Sequence, residues 1–422
     1  MRESPYPLER DLGMRWYASD TPGTGGRLRT VPEDFVVEEV PAGVGAEGPY
    51  LICRLTKKDW ELQRAVREIA RQLGISHRRI GWAGTKDKHA VTSQLISIYQ
   101  VSPEMVAHVH LKDLALEPVG QSPQPLALGS HQSNRFRIVI RDTCSGDLDG
   151  EAAAVSRACG EGLPNYFGLQ RFGVVRPVTH RVGEFLLKGD YEGAVACYVG
   201  YAYPGEPPAV REARTRFLEN RDPVEGLHNL PVPLTYERAM LNYLAARPGD
   251  YKGALLSLPP RLLSMFVSAF QSWLFNLALS ARMERGAGLG NPHPGDRLLF
   301  PDGRTDQVTP ANLHAASIQV ARGRCRVALM MPGSRPADAR GEDDRVLAGL
   351  RDAHGITPEH FAAASSFVGV RYEGALRPAS LVTHVDCRID DRDLTLSFSL
   401  EPGQYATTLC REFMKADPAS MI

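Results

Sequence analysis

Residues 81–94 read GWAGTKDKHAVTSQ, and in that stretch one carboxylate, Asp87, stands between Lys86 and Lys88. Neighbouring cations lower a carboxylate's pKa and keep it charged and nucleophilic even when it is partly desolvated. The same lysines attract phosphates, so the combination suits carbon-centred chemistry on a nucleotide. A turn aspartate satisfied by its own backbone is the plainer account of the same residues. Other chemistries find less support. GTKDK lacks the spacing of a P-loop and no helix N-terminus follows it. There is no G-x-S-x-G elbow for acyl transfer, and no second acid stands out for glycoside hydrolysis. Seven dispersed cysteines without a C-x-x-C pair, and histidines without H-E-x-x-H spacing, argue against zinc, iron–sulfur and dithiol sites. No metal ligand set is expected.

The surrounding pattern puts Asp87 in a loop. RRIGWAG and AVTSQLISIYQ read as strands, so TKDKH joins them where a rigid scaffold can present a side chain. Upstream, RTVPEDFVVEEV and PYLICRLT also read as strands. A helix follows, with Asp59 as N-cap, Leu62, Val66, Ile69 and Leu73 on one face, and Gly74 as its stop. Arg64, Arg67 and Arg71 lie on its other face, where snorkelling into solvent is the bland account. NRFRIVIRD (134–142) is a further strand, and a helix is expected over 149–160.

From about 171 to 384 the texture changes to helices separated by Pro-rich loops. The strongest helix, residues 261–286, is apolar on most faces and therefore buried. Strand character returns at RDLTLSFSL (392–400), with a short helix through YATTLCREFMK. Two strand-rich ends around a different middle suggest one domain inserted into another. The expected division is 1–170 plus 385–422 for the outer domain and 171–384 for the insertion.

A chain of 422 residues is long enough for two or three domains, and its 43% hydrophobic content is ordinary for a globular protein. No apolar run approaches the roughly 20 residues that span a bilayer, and MRESPYPLERDLGMRWYASD has no signal-peptide core. A soluble cytoplasmic protein with reduced thiols and no membrane partner is the expectation. Net charge is zero, which alone gives no case for nucleic acid. Yet residues 57–88 hold nine Lys or Arg against four Asp or Glu, a local basic surplus.

Several stretches together resemble one family. GWAGTKDKHAVTSQ is similar to the A-G-x-K-D-[KR]-x-A-[VT]-T-x-Q motif of the TruD family of tRNA pseudouridine synthases. PEDFVVEE (32–39), SNRFRIVIR (133–141), PNYFGLQRFG (164–173), AFQSWLFN (269–276) and YATTLCRE (405–412) resemble its other motifs in the same order. The middle segment looks more like the archaeal and eukaryotic branch. The resemblance implies an α/β (α+β) fold: a pseudouridine-synthase catalytic domain with a bent mixed sheet, interrupted by an α/β TRUD insertion domain.

It also implies a reaction, the isomerisation of uridine to pseudouridine in tRNA, at position 13 in much of the family, with no metal and no organic cofactor. By resemblance Asp87 is the nucleophile, Phe136 the aromatic on which the extruded base rests, and Asn134 a polar group near the nucleophile. Where the family usually has a lysine paired with the aspartate, this chain has Arg29, which keeps the charge in a different geometry. Phe136 as an ordinary strand core residue is the competing reading. The basic run often found before the family's G-N-x-F segment is thin here, GQSPQPLALGSHQSNRF, which shifts phosphate contact toward the surplus at 57–88, Lys57 and Lys58 included. The expected RNA-binding residues are Lys86, Lys88, His89, Arg78, Arg79 and Arg171. Tyr166, Phe167 and Gln170 are expected with Arg171 along the cleft at the domain junction, in direct RNA contact or as a structural hinge. A monomer acting on tRNA is expected. The alternatives are a catalytically silent RNA-binding protein on the same scaffold and a Mg²⁺-dependent phosphotransferase.

Overall fold

In the computed structural model, residues 1–127, 129–335 and 341–421 are described. Leu128, in the segment before Asn134, lies outside them. The chain forms two compact units, Met1–Tyr17 with Pro164–Leu381 and Ala18–Leu163 with Val382–Ile422. The division differs from the expected one, since Met1–Tyr17 and residues 164–170 belong with the middle segment and residues 382–384 with the outer one.

The long helix Pro260–Glu284 is the reason that Met1–Tyr17 and residues 164–170 join the middle segment. It passes through the core of its unit and carries buried polar groups as well as apolar ones. Those polar groups need partners, and for Asn276 and Ser280 the backbone of Leu12, Gly13 and Phe167 supplies them. Asn276 Nδ2 donates to Leu12 O (3.0 Å) and to Phe167 O (2.9 Å), while its Oδ1 accepts from Phe167 N at 2.8 Å. Ser280 Oγ donates to Gly13 O at 2.6 Å. This helix is long and apolar enough by composition to cross a membrane, but most of it is buried in protein. Its unit also holds a four-stranded antiparallel sheet in the order Thr305–Gln307, Arg297–Leu299, Arg326–Met331, Ala375–Pro378.

The other unit is built on an eight-stranded mixed sheet. Its strands are β1 (Phe35–Pro41), β2 (Tyr50–Lys58), β3 (Ile80–Trp82), β4 (Val91–Tyr99), β5 (Leu114–Ser122), β6 (His131–Ile140), β7 (Val385–Asp390) and β8 (Asp393–Leu400). The order is β7-β8-β6-β1-β4-β2-β5, with β3 paired to β4. All pairings are antiparallel except β1 with β4. The parallel pair needs a crossover, which β2, the helix α1 (Leu62–Gln72) and β3 provide.

Register and pleat then sort the side chains. Val37 lies opposite both Thr92 and Phe136, and Phe136 lies opposite Phe398. One face therefore carries Phe35, Val37 and Glu39 of β1, Asn134 and Phe136 of β6, Thr92 and Gln94 of β4, and Lys57 of β2. Helix α1 covers one end of that face, packing Leu62, Val66 and Ile69 against Leu51, Cys53, Leu55 and Ile96. Its N-cap is Glu61, whose carboxylate accepts from the amides of Gln63 and Arg64, and not Asp59, which turns the chain with φ 56°. At the other end, α2 (Leu148–Glu161) lies on β7, and α3 (Ala406–Met414) packs on α2. Between the two covered ends, Asn134 and Phe136 stay partly exposed.

Candidate active site

The loop from Ala83 to Ala90 runs between β3 and β4 above this gap, and Asp87 is at its exposed tip. Arg29 reaches it from 58 residues upstream. Its Nη2 donates to Asp87 Oδ2 at 2.9 Å, with the arginine side chain only 13% exposed. The guanidinium also lies 4.3 Å from the centroid of Phe35, a cation–π contact that fixes its plane. Arg29 has φ 56°, a left-handed backbone that costs a non-glycine residue about 1–3 kcal/mol and persists only where surroundings enforce it.

The loop is held from beneath by buried charge. Lys57 Nζ donates to the backbone oxygen of Asp87 at 2.8 Å, and the lysine is 1% exposed. Burial pushes its amine down to about 8, against the opposing pull of Asp87 and Glu61. One residue before the aspartate, Lys86 pairs with Glu39 at 2.7 Å, with the two side chains 6% and 1% exposed. Glu39 also accepts from Leu95 N at 3.2 Å, and Gln94 Nε2 donates to Gly84 O at 2.9 Å. Side chains from β1, β2 and β4 thus grip the loop at Gly84, Lys86 and Asp87.

Beside it, Asn134 Nδ2 and His131 Nε2 are 3.2 Å apart, while Asn134 Oδ1 is buried with no hydrogen-bond partner among the described residues. Burial, then the nearby Lys86, lowers the His131 pKa. Phe136 stacks on Phe398, with centroids 5.2 Å apart and planes 17° apart, and meets Phe35 edge-on at 6.3 Å. The result is an aromatic strip, an unpaired amide oxygen and a paired carboxylate on one partly open face.

The expected residues sort into two groups. Asp87, Arg29, Asn134 and Phe136 share this face. Lys88 and Arg78 are exposed and make no ion pair among the described residues. His89 is exposed and contacts Asp59 at 2.8 Å. Three cations depart from the phosphate role. Lys86 is buried against Glu39, and Lys57 is buried beneath Asp87. Arg79 is spent on main-chain carbonyls, with Nε 2.9 Å from Tyr99 O and Nη2 2.8 Å from Gln100 O. Arg171 belongs to the other unit, in the turn Leu169–Arg171, its guanidinium 5.2 Å from the Phe167 ring. Tyr166 and Phe167 are buried there rather than presented to a ligand, with Tyr166 Oη 2.7 Å from Ser280 Oγ.

Glu39 and Gln94 carried no role in the sequence and Lys57 was expected at phosphates, although strand periodicity carries the signal for all three. Lys57 continues the alternation Leu51, Cys53, Leu55 on the apolar face, and Glu39 continues Phe35 and Val37. A charge at such a position requires a buried partner.

Comparison with known proteins agrees with the geometry. The family described as tRNA pseudouridine synthase D (TruD) matches residues 11–413. The Probable tRNA pseudouridine synthase D of Methanococcoides burtonii is 38% identical over 98% of both chains. That of Halobacterium salinarum is 36% identical over the full length of both. A crystal structure described as tRNA pseudouridine synthase D from Methanosarcina mazei superposes with a TM-score of 0.83 at 35% identity, covering 99% of each chain. With this match along nearly its whole length, the chain belongs to the tRNA pseudouridine synthase D (TruD) family.

Proposed function

We propose that this protein isomerises uridine to pseudouridine in tRNA, at position 13, with Asp87 as the nucleophile and no cofactor. The reaction breaks N1–C1′, turns the uracil, forms C5–C1′ and releases the C5 proton to solvent while N1 takes one up. The observation that supports this best is the Arg29–Asp87 ion pair at the tip of a loop gripped from below. Such a carboxylate is oriented before substrate arrives, so little of its freedom remains to be lost in the transition state. The unpaired Asn134 Oδ1 is suited to accept from the uracil N3–H, and the Phe136 strip offers an apolar surface to a base drawn out of its stack. Lys88 and Arg78 are free to meet phosphates.

Tritium release from [5-³H]uridine-labelled tRNA tests the assignment. Asp87→Asn is expected to lose at least about a thousandfold in kcat, the scale on which a covalent nucleophile acts. Release that survives in the variant would remove Asp87 from the chemistry. Dialysis against EDTA is expected to leave the wild-type rate unchanged, and nucleotide mapping of the product places the modified position.

A further inference from the structure

The unit formed by Met1–Tyr17 and Pro164–Leu381 contains a cavity of about 770 Å³ that the proposed chemistry does not use. Such a volume falls in the range of small-ligand sites, about 300–1,000 Å³. Its wall is aromatic on one side. Trp273, on the long helix, is oriented by a hydrogen bond from its Nε1 to Asp11 O at 2.8 Å. His180, on the helix Thr179–Leu187, sits 5.3 Å from the Trp273 ring and edge-on to Phe172 at 5.5 Å. His354 meets Trp273 edge-on at 5.0 Å.

His180 is the anomaly. It is only 6% exposed and lines the cavity, yet its Nδ1 is buried with no hydrogen-bond partner among the described residues. A buried, unpaired ring nitrogen is costly unless something supplies a partner. Burial, then the neighbouring Arg181, pushes its pKa down to about 3, so the ring is neutral and offers one donor and one acceptor.

Among apolar residues such as Phe185, Ala196 and Leu218, the lining also carries charged groups. Arg181 donates to Tyr201 Oη at 2.6 Å and lies 4.8 Å from that ring, and Arg221 is exposed with φ 56°. Of the two carboxylates in the lining, Glu184 is paired with Lys188 (2.7 Å) and His354 (2.9 Å), and Asp11 is exposed. Flat aromatic walls, a neutral imidazole and two guanidinium groups are together the chemistry that holds an unpaired nucleotide. The base stacks and hydrogen-bonds by its edge, while the phosphate meets arginine.

We propose that this cavity receives an unpaired nucleotide of the RNA substrate, its base against Trp273 and His180 and its phosphate against Arg181 and Arg221. The inference rests on the RNA reading above and gives the inserted unit a contact of its own with the substrate. It is tested on the full chain with unmodified tRNA. Leu218→Tyr, which fills the mouth of the cavity, and Arg181→Ala are each expected to weaken binding about tenfold in Kd, with the kinetic loss falling on KM rather than kcat. Circular dichroism checks that the variants fold. Independently, adenosine 5′-monophosphate is expected to shift the Trp273 indole ¹⁵N–¹H resonance of the wild type, and ribose 5-phosphate alone to leave it in place. Unchanged tRNA affinity in both folded variants overturns the proposal. An adenosine 5′-monophosphate shift combined with unchanged tRNA affinity would make the cavity a free-nucleotide site and equally overturn the RNA assignment. If the wild type binds tRNA but releases no tritium, the isomerase reading fails while the affinity comparison still decides this one.

Discussion

Lys57 ties the charge on one buried amine to the shape of the Asp87 loop. Its pKa is lowered from 10.5 to about 8 by burial, so the amine loses its proton just above neutral pH. The expected consequence is a fall in kcat as pH rises through about 8, because the charge that holds the Asp87 carbonyl is lost. Stability moves the other way. Between about 8 and 10.5 the unfolded chain binds the proton that the folded chain has released, so this residue's contribution to stability rises with pH. A kcat profile that stays flat to pH 10, with the fold intact by circular dichroism, would contradict the coupling. Lys57→Arg, charged throughout, is expected to move the alkaline limb to higher pH. Glu39→Gln leaves Lys86 buried without its counter-charge. Removing one partner of a buried pair costs about 3–5 kcal/mol, to be read as a lowered denaturant midpoint.

At the scale of elements, the site depends on strand register more than on the loop's own sequence. Glu39, Lys57 and Gln94 come from three strands, and alternation puts all of them on one face. The elements themselves are legible in the chain. The helix expected at 149–160 forms as Leu148–Glu161, the long apolar one as Pro260–Glu284, and the strand near 392–400 as Asp393–Leu400. Local periodicity is enough for these. The cap of α1 is a near miss of two residues, since Asp59 is drawn into a left-handed turn and Glu61 takes the amides.

A second element-scale dependence is the approach of the N-terminal segment to the long helix. Gly13 has φ 75°, and a Cβ there would stand 2.8 Å from Leu277 N. Gly13→Ala is expected to destabilise by about 2–4 kcal/mol, from left-handed backbone plus overpacking. Equilibrium denaturation reads the effect, and a shift below about 0.5 kcal/mol would contradict the close approach.

For the molecule as a whole, zero net charge conceals an uneven surface. Lys88, Arg64, Arg67 and Arg78 are exposed within one basic stretch, whereas Lys57 and Lys86 of the same stretch are buried. If the exposed set meets phosphates, tRNA affinity falls steeply with salt through counterion release. Each neutralising substitution in that set is then expected to reduce the slope of log K against log salt by about 0.7–0.9. Neutralising Lys86 instead is expected to act on stability and kcat, leaving the slope alone. Affinity measured between 50 and 200 mM salt, a range over which ~10³–10⁵ is lost when many phosphates are contacted, separates the two classes.

What the sequence determined by itself was local: the strands and helices, whose periods are written along the chain, and the identity of the residues at one loop and one strand. It also carried the family, through ordered motifs whose residues stand in the chain whatever they touch. The resemblance also pointed to Arg29 as the partner of Asp87, but only the folded chain assigns the other cations their partners. Lys86 and Lys88 read alike on either side of Asp87, yet one is turned inward to Glu39, 47 residues away, and the other outward to solvent. The same holds for Arg79, taken up by the carbonyls that end β4, and for Met1–Tyr17, drawn to the polar groups of a buried helix. Each of these outcomes depends on desolvation and on partners brought close by sheet register and helix packing. Neither is a property of neighbours in sequence, and so the aspartate and its Arg29 partner were legible where the buried groups beneath the loop, Lys57, Glu39 and Gln94, were not.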